Sequence, residues 1–387
     1  MSQLLRRLQA LRGQAAPVAE RPLRTASDSA LAQNAADLEA RLVETEAGIH
    51  FVKDVHVPAE ARYGQAEIGV PALHPLLLRH TGAEPGGRVL YLDTETTGLS
   101  GGTGTLAFLI GIGVHTDGGF TVRQLMLPGP EHERSQLQAV AELARGASAV
   151  VTYNGGSFDL PLLRSRFALQ GLADPLYRVP HLDLLTLARR LWRTTLPDCS
   201  LGTVERHILG ASRDLDDVPG FEVPARYLAW LRTRDPAQLR GVLGHNSNDI
   251  VALSALRWHV EQLLSETTSA RPLEQQGLGL WLERIGEVDQ ALDWLLRAGG
   301  SEPAAAWQAS LLLKRLGRVE EAMPLWLELG EQGHSAAWVE LAKEQEHRQR
   351  DLAAALESVT CAEACLDADF GALQQRRERL ERKLSRV

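Results

Sequence analysis

The chain has 387 residues, enough for two or three domains with a sizeable core. Its 44% hydrophobic and 23% charged residues are ordinary for a globular protein and exclude a fibrous or wholly disordered chain. A net charge of −8 excludes a global basic field, so any nucleic-acid contact has to be local and partly metal-mediated. No apolar run reaches the length of a membrane-crossing helix. Cys199, Cys361 and Cys365 fit neither a disulfide framework nor a zinc site, and a reducing, cytoplasmic setting is expected.

Residues 1–48 are polar and Ala-rich and predict a mobile leader with one or two helical pieces. Residues 49–87 carry Pro58, Gly64, Gly69, Pro71, Pro75 and Pro85 and read as an extended lead-in laid on the next domain. That domain is expected over 88–265. Arg88 to Asp93, Leu106 to His115 and Phe120 to Leu127 are predicted strands, with Gly118 and Gly119 turning the second hairpin. A helix over 131–146, a strand over 147–153, a helix over 157–171, a short strand over 179–182 and a helix through Trp192 follow. Irregular chain then leads to a long closing helix over 246–264. This order predicts an α/β fold, a mixed five-stranded sheet flanked by helices.

Beyond residue 275 strand signals stop. GEVDQAL (286–292), GRVEEAM (317–323) and RDLAAAL (350–356) repeat one helical unit, whose alanines Ala291, Ala322 and Ala355 are 31 and 33 residues apart. Such periods resemble tetratricopeptide repeats, and the simpler reading is an Ala/Leu-rich helical bundle. An all-α domain over 275–387 is expected either way.

Three motifs carry chemistry. In YLDTETTGLS (91–100), Asp93 and Glu95 end an apolar strand and, two residues apart, project from one face. Two carboxylates on a rigid strand make a hard-oxygen site for a cation such as Mg²⁺. In VTYNGGSFDLPLL (151–163), Gly155 and Gly156 turn the chain and Asp159 falls in the first helical turn, with Phe158 expected to be buried and so to set its direction. In GHNSNDIVALSALRWHV (244–260), His245 and Asp249 are four apart on one helix face, the Asp suited to a cation and the His to taking a proton from water. Three Asp and one Glu in one place repel one another unless divalent cations neutralise them, and two cations are the known arrangement for in-line attack on a phosphodiester.

These motifs, in this order, resemble those of the DEDD 3′–5′ exonucleases, an RNase H-like superfamily, over roughly residues 88–265. Within it the chain is similar to YprB-like proteins through DTETTGLSGG, FLIGIG, YNGGSFDLPLL, HLDLLTLARRLW, CSLGTVERHILG and HNSNDI. The resemblance implies two Mg²⁺ or Mn²⁺ ions held by Asp93, Glu95, Asp159 and Asp249, with His245 as general base. It places Thr94, Thr97, Leu99 and Asn154 near the substrate. Single-stranded DNA or RNA is the implied substrate, with no membrane contact, and the helical repeats offer a surface for a protein partner. The spacing of four between His245 and Asp249 is that of the branch with Tyr at this place, whereas His typifies the other branch.

Bland readings stand beside these. Asp183 is read first as a helix cap and only second as a ligand, with His181 beside it. Arg164, Arg166, Arg189, Arg190 and Arg193 either steer phosphates or form solvated helix faces. Trp192 and Tyr153 either pack in the core or stack on a base. The alternative for the whole chain is a nucleic-acid-binding or scaffold module with little turnover; a further one is endonuclease cleavage.

Overall fold

Seven strands form one mixed sheet: β1 (Arg41–Thr45), β2 (Gly48–Pro58), β5 (Arg88–Thr96), β6 (Ala107–Thr116), β7 (Gly119–Met126), β8 (Ala147–Thr152) and β9 (His181–Asp183), in the order β1-β2-β7-β6-β5-β8-β9. They are seen in a computed structural model that describes residues 28–98, 104–213, 218–265 and 270–385. β5 lies between antiparallel β6 and parallel β8. It is central because its apolar run has two faces to bury. Val89 and Tyr91 join one core, and Leu90 and Leu92 join another on the opposite face.

Helices cover both faces. α3 (Glu133–Ala144) and α4 (Asp159–Leu169) pack over Leu90, Leu92, Ile110 and Ile112. α5 (Leu184–Trp192) and the 29-residue α8 (Ala237–Ser265) cover the Val89 and Tyr91 side. The closing helix starts at Ala237, nine residues before the expected start, so His245 lies well inside it. α6 (Leu201–Val204) runs into a π-turn over Glu205–Leu209, and α7 (Val223–Thr233) precedes α8.

The five expected strands are present, and the sheet gains two more: β1 from within residues 1–48, where a mobile leader with helical pieces was expected, and β2 mostly from the lead-in. α1 (Asp28–Asp37) precedes β1, and β2 pairs with β7 from Phe51↔Met126 to Pro58↔Gly119. Pro and Gly dominate the composition after residue 58 and mask the apolar alternation of β2 before it. β3 (Arg62–Tyr63) and β4 (Ala66–Glu67) form a small separate hairpin, followed by α2 (Pro75–Thr81). The basic N-terminal stretch, Leu99 and the glycines at 101 and 102 lie outside the described residues.

Among the described residues seven α-helices follow: α9 (Pro272–Arg284), α10 (Val288–Gly299), α11 (Pro303–Arg315), α12 (Val319–Glu331), α13 (Ser335–Glu344), α14 (Leu352–Glu363) and α15 (Phe370–Leu384). The recurring Ala291, Ala322 and Ala355 are all fully buried, as a small residue at a close helix–helix contact has to be. α9 docks on α5, where Trp192 Nε1 donates to Glu274 Oε1 at 2.8 Å. One hydrophobic cluster runs from Ala66 through Trp192 to Leu341 and joins the sheet to the helices.

The first two helical units open on Gly286 and Gly317, with φ of 89° and 76°; the third opens on Arg350 with φ 59°. A left-handed backbone costs a side-chain-bearing residue roughly 1–2 kcal/mol. Arg350→Gly is therefore expected to stabilise the fold by about 1 kcal/mol after the added freedom of the unfolded chain is subtracted. A denaturant midpoint that falls in this variant would count against strain at Arg350.

Candidate active site

The outer half of β5 carries Asp93 and Glu95 on the face that meets α8. Asn246 of α8 is fully buried there. Its Nδ2 donates to Asp93 Oδ2 at 2.8 Å, and its Oδ1 accepts from Gln124 Nε2 of β7 at 2.9 Å. The helix approaches this closely because β6 has Gly111 at the crossing. A Cβ there would stand 2.9 Å from Asn246 Nδ2 and closer still to its Oδ1. Asp93 is thus aimed by a Gln–Asn relay from two other elements.

Asp159 opens α4, and Thr94 Oγ1 donates to its Oδ1 at 2.5 Å. Thr94 points to the opposite face from Asp93 and Glu95, so one strand addresses all three acids. The preceding turn holds Asn154 at φ 65°. Asp183 braces it, accepting from Asn154 N–H at 2.8 Å, Gly156 N–H at 3.2 Å and Leu185 N–H at 3.1 Å. Asp183 is therefore a cap and brace, and His181 is occupied with Thr152 Oγ1 at 2.8 Å.

His245 and Asp249 face the same place from α8. His245 Nε2 lies 3.6 Å from Asp249 Oδ2 and 4.0 Å from Glu95 Oε1. Arg213 reaches between them. One guanidinium nitrogen donates to Asp249 Oδ1, and another lies 3.1 Å from His245 Nδ1. The same guanidinium donates to buried Glu205 from Nε at 2.7 Å and from Nη2 at 3.0 Å. Tyr63 Oη in turn donates to Glu205 Oε1 at 2.9 Å.

The electrostatics follow from this crowding. Burial, then the charges of Asp249 and Asp159, hold the Asp93 carboxyl well above the usual range. Burial and the neighbouring acids do the same to Glu95. Burial raises Asp159 to about 6 against the Thr94 hydrogen bond. Asp249 is raised by burial too, with Arg213 and His245 opposing. As the side chains stand, no three His, Cys, Asp or Glu residues among the described ones form a ready-made ion cage. The donor set still suits a hard cation: four carboxylates, buried and mutually repelling, with one of them turned to Arg213.

A cleft of about 650 Å³ opens beside Asp93, Glu95 and Asp159. Its lining also includes Asn154, Phe158, Gly220, Val223 and Pro224. Phe158 was expected to be buried; it is 56% exposed. The Thr94 hydroxyl, not the Phe158 ring, directs Asp159. Thr97 spends its hydroxyl on the N–H of Leu106 at 3.0 Å, within the loop after β5. Arg166 is buried and paired with Glu133, Nε to Oε1 at 2.5 Å, so it ties α4 to α3. Trp192 is buried and bonded, which leaves no face for a base. A larger cavity of about 930 Å³, between β1, β2, β7 and α3, holds none of the clustered acids.

Sequence reasoning missed Asn246, Gln124, Arg213 and Glu205. The Gly-x-Gly of β6 was the available signal for Asn246, since glycine inside a strand marks a close approach. Arg213 and Glu205 meet through a turn with no local signature.

A family model described as RNase_H superfamily matches residues 90–260. The chain is also 34% identical over 360 residues to the protein named "Uncharacterized protein YprB" of Bacillus subtilis (strain 168), covering 87% of this chain and 86% of that one. The chain belongs to the YprB family of the RNase H superfamily. Among solved structures, the family B DNA polymerase from the hyperthermophilic archaeon Pyrobaculum calidifontis is similar over 56% of this chain, at 19% identity and a TM-score of 0.37. That likeness spans 29% of the polymerase chain. The superfamily match over residues 90–260 gives this YprB-family chain a nuclease-type domain, and nucleases of the RNase H superfamily generally use divalent metals such as Mg²⁺. No described helix of this YprB-family chain is long and apolar enough to cross a membrane.

Proposed function

We propose that the chain is a metal-dependent nuclease that hydrolyses phosphodiester bonds from the 3′ end of single strands. The observation that carries this reading is the buried cluster of Asp93, Glu95, Asp159 and Asp249, each held above its ordinary protonation range, beside an open cleft. Asp93, Glu95 and Asp249 would hold one Mg²⁺ or Mn²⁺ ion and Asp159 would serve a second; together the ions would supply activation of water and neutralisation of the leaving 3′ oxygen. Asn246 orients Asp93, and Thr94 orients Asp159. His245 accepts a proton at Nε2 when its ring is in the tautomer that leaves that nitrogen bare. A cleft of about 650 Å³ would suit a flexible strand end better than a duplex. The test is incubation of the full chain with Mg²⁺ or Mn²⁺ and matched DNA and RNA oligomers, linear, circular and blocked at either end. Shortening from a free 3′ end supports the reading; cutting of circles would make it an endonuclease, and no cutting would leave a binding module. The C-terminal helices, read as tetratricopeptide-like repeats, are the surface for a protein partner, and the expected compartment is the cytoplasm.

Phe158 stands exposed on the cleft wall beside Asp159, where an aromatic face can stack on a base. Phe158→Ala is expected to raise KM about tenfold with kcat little changed, within the roughly 1–3 kcal/mol of one stacked base. An unchanged KM would remove Phe158 from the substrate path.

Metal binding requires the carboxyls to lose their protons. The folded-state value of Asp159 is raised to about 6, so its charge costs the metal-free fold nothing below about pH 4 and destabilises it fully only above about pH 6, and Asp93, Glu95 and Asp249 are shifted in the same direction. Ion binding runs the other way and strengthens across that window. Calorimetry is expected to show Mn²⁺ affinity rising at least about tenfold from pH 5 to pH 7, with proton release; a flat profile would mean the carboxyls are not the ligands.

A further inference from the structure

Arg213 stands where neither proposed role of its neighbours can operate. Its guanidinium donates to Asp249 Oδ1, an oxygen the cation would need. Arginine has no acceptor atom, so the 3.1 Å contact with His245 requires Nδ1 to accept. The neutral ring then carries its proton on Nε2, the nitrogen that faces Glu95 and Asp249. One side chain therefore covers a ligand oxygen and holds the imidazole in the tautomer that cannot accept a proton at Nε2. The same edge of the guanidinium is also held by a second acid: Nη2, which reaches Asp249, and Nε both donate to Glu205. Glu205 is 1% exposed and takes two of its N–H groups, and Tyr63 fixes Glu205 from the β3–β4 hairpin.

We propose that Arg213 is an internal counter-ion that competes with the divalent cation for Asp249, so that loading of the metal and withdrawal of Arg213 onto Glu205 are one event. This inference rests on the reading of the acids as a metal site. Arg213 is a positioning residue in these terms: it sets Asp249 and the His245 tautomer and acts on the reaction through them. The anchor at Glu205 explains how the arginine can let go of Asp249 without becoming solvated and disordered. By linkage, whatever weakens the Arg213 contact strengthens metal binding by the same factor.

The experiment is calorimetric titration of the full chain with Mn²⁺ alone, for the wild type, Arg213→Gln and Arg213→Lys. Both variants are expected to bind Mn²⁺ about tenfold more tightly, and metal-free Arg213→Gln is expected to melt at a lower temperature than the wild type. A residue that merely supported the fold would, on removal, leave affinity unchanged or weaken it, and that result overturns the proposal. Lysine keeps the charge but cannot bridge Glu205, His245 and Asp249 together. Tight binding by the Gln variant with wild-type affinity in the Lys variant would therefore mean through-space repulsion without occupancy, and would also overturn it. If Arg213→Gln fails to fold, the Lys variant decides between the same outcomes. Absence of Mn²⁺ binding in every form overturns the metal-site reading itself and this inference with it, whereas equal binding in all three overturns only the inference.

Discussion

Asp93→Asn is expected to lower nuclease activity by at least about 10³-fold, the order that follows when a metal site worth several kcal/mol is lost. The same change is expected to raise the melting temperature of the metal-free protein. Asp93 is buried against Asp249 and Asp159, and its charge is a cost to the fold when no cation is present. The amide fills the same volume and remains beside Asn246 and Gln124. A stabilising substitution that removes activity is the signature of a functional site and is not produced by damage to the core. Two assays read it: shortening of a 5′-labelled oligomer with Mn²⁺, and a thermal melt in chelator. Retention of wild-type cleavage would remove Asp93 from the chemistry, and a lower melt would mean that its charge is already compensated.

Arg257→Ala is expected to destabilise the fold by about 3–5 kcal/mol while leaving Mn²⁺ affinity in the surviving folded protein unchanged. Arg257 is fully buried and paired with Glu261 one turn on, at 2.9 Å. Its Nη1 also donates to Ala72 O at 2.8 Å and its Nη2 to Val70 O at 2.5 Å, and Glu261 Oε1 accepts from His74 N–H at 2.8 Å. The pair thus pins the lead-in chain between β4 and α2 onto α8. Removing the arginine leaves the buried Glu261 carboxylate without its counter-ion, held only by the His74 N–H, and takes the guanidinium donors from two backbone carbonyls. Urea denaturation measures the loss. A cost below about 1 kcal/mol would show that water replaces the guanidinium there.

The motif residues differ in how far local pattern could carry them. Asp93 and Glu95 were legible because a strand has period two, and any strand ending in that pair presents both on one face. His245 and Asp249 were legible for the corresponding helical reason, and the i, i+4 contact is there at 3.6 Å. The β6 and β7 hairpin was legible from its apolar runs and Gly118-Gly119. β1 and β2 were not, because β2 joins the sheet through β7, more than sixty residues on, β1 is held only by β2, and the proline-rich chain after them dominates the local composition. Phe158 was misread because apolar residues beside a helix start are usually buried, whereas here the cleft takes the space a core would fill.

Sequence by itself determined which acids exist, which pairs share a face, and the period of the C-terminal helices, since all three follow from the fixed geometry of strand and helix. Only the tertiary structure decided what holds those acids and what opposes them. Asn246 reaches Asp93 across Gly111, Thr94 restrains Asp159 from a different element, and Arg213 takes Asp249 from Glu205's side. Each of these contacts joins segments separated by tens of residues, and its strength comes from burial, which no local spacing encodes.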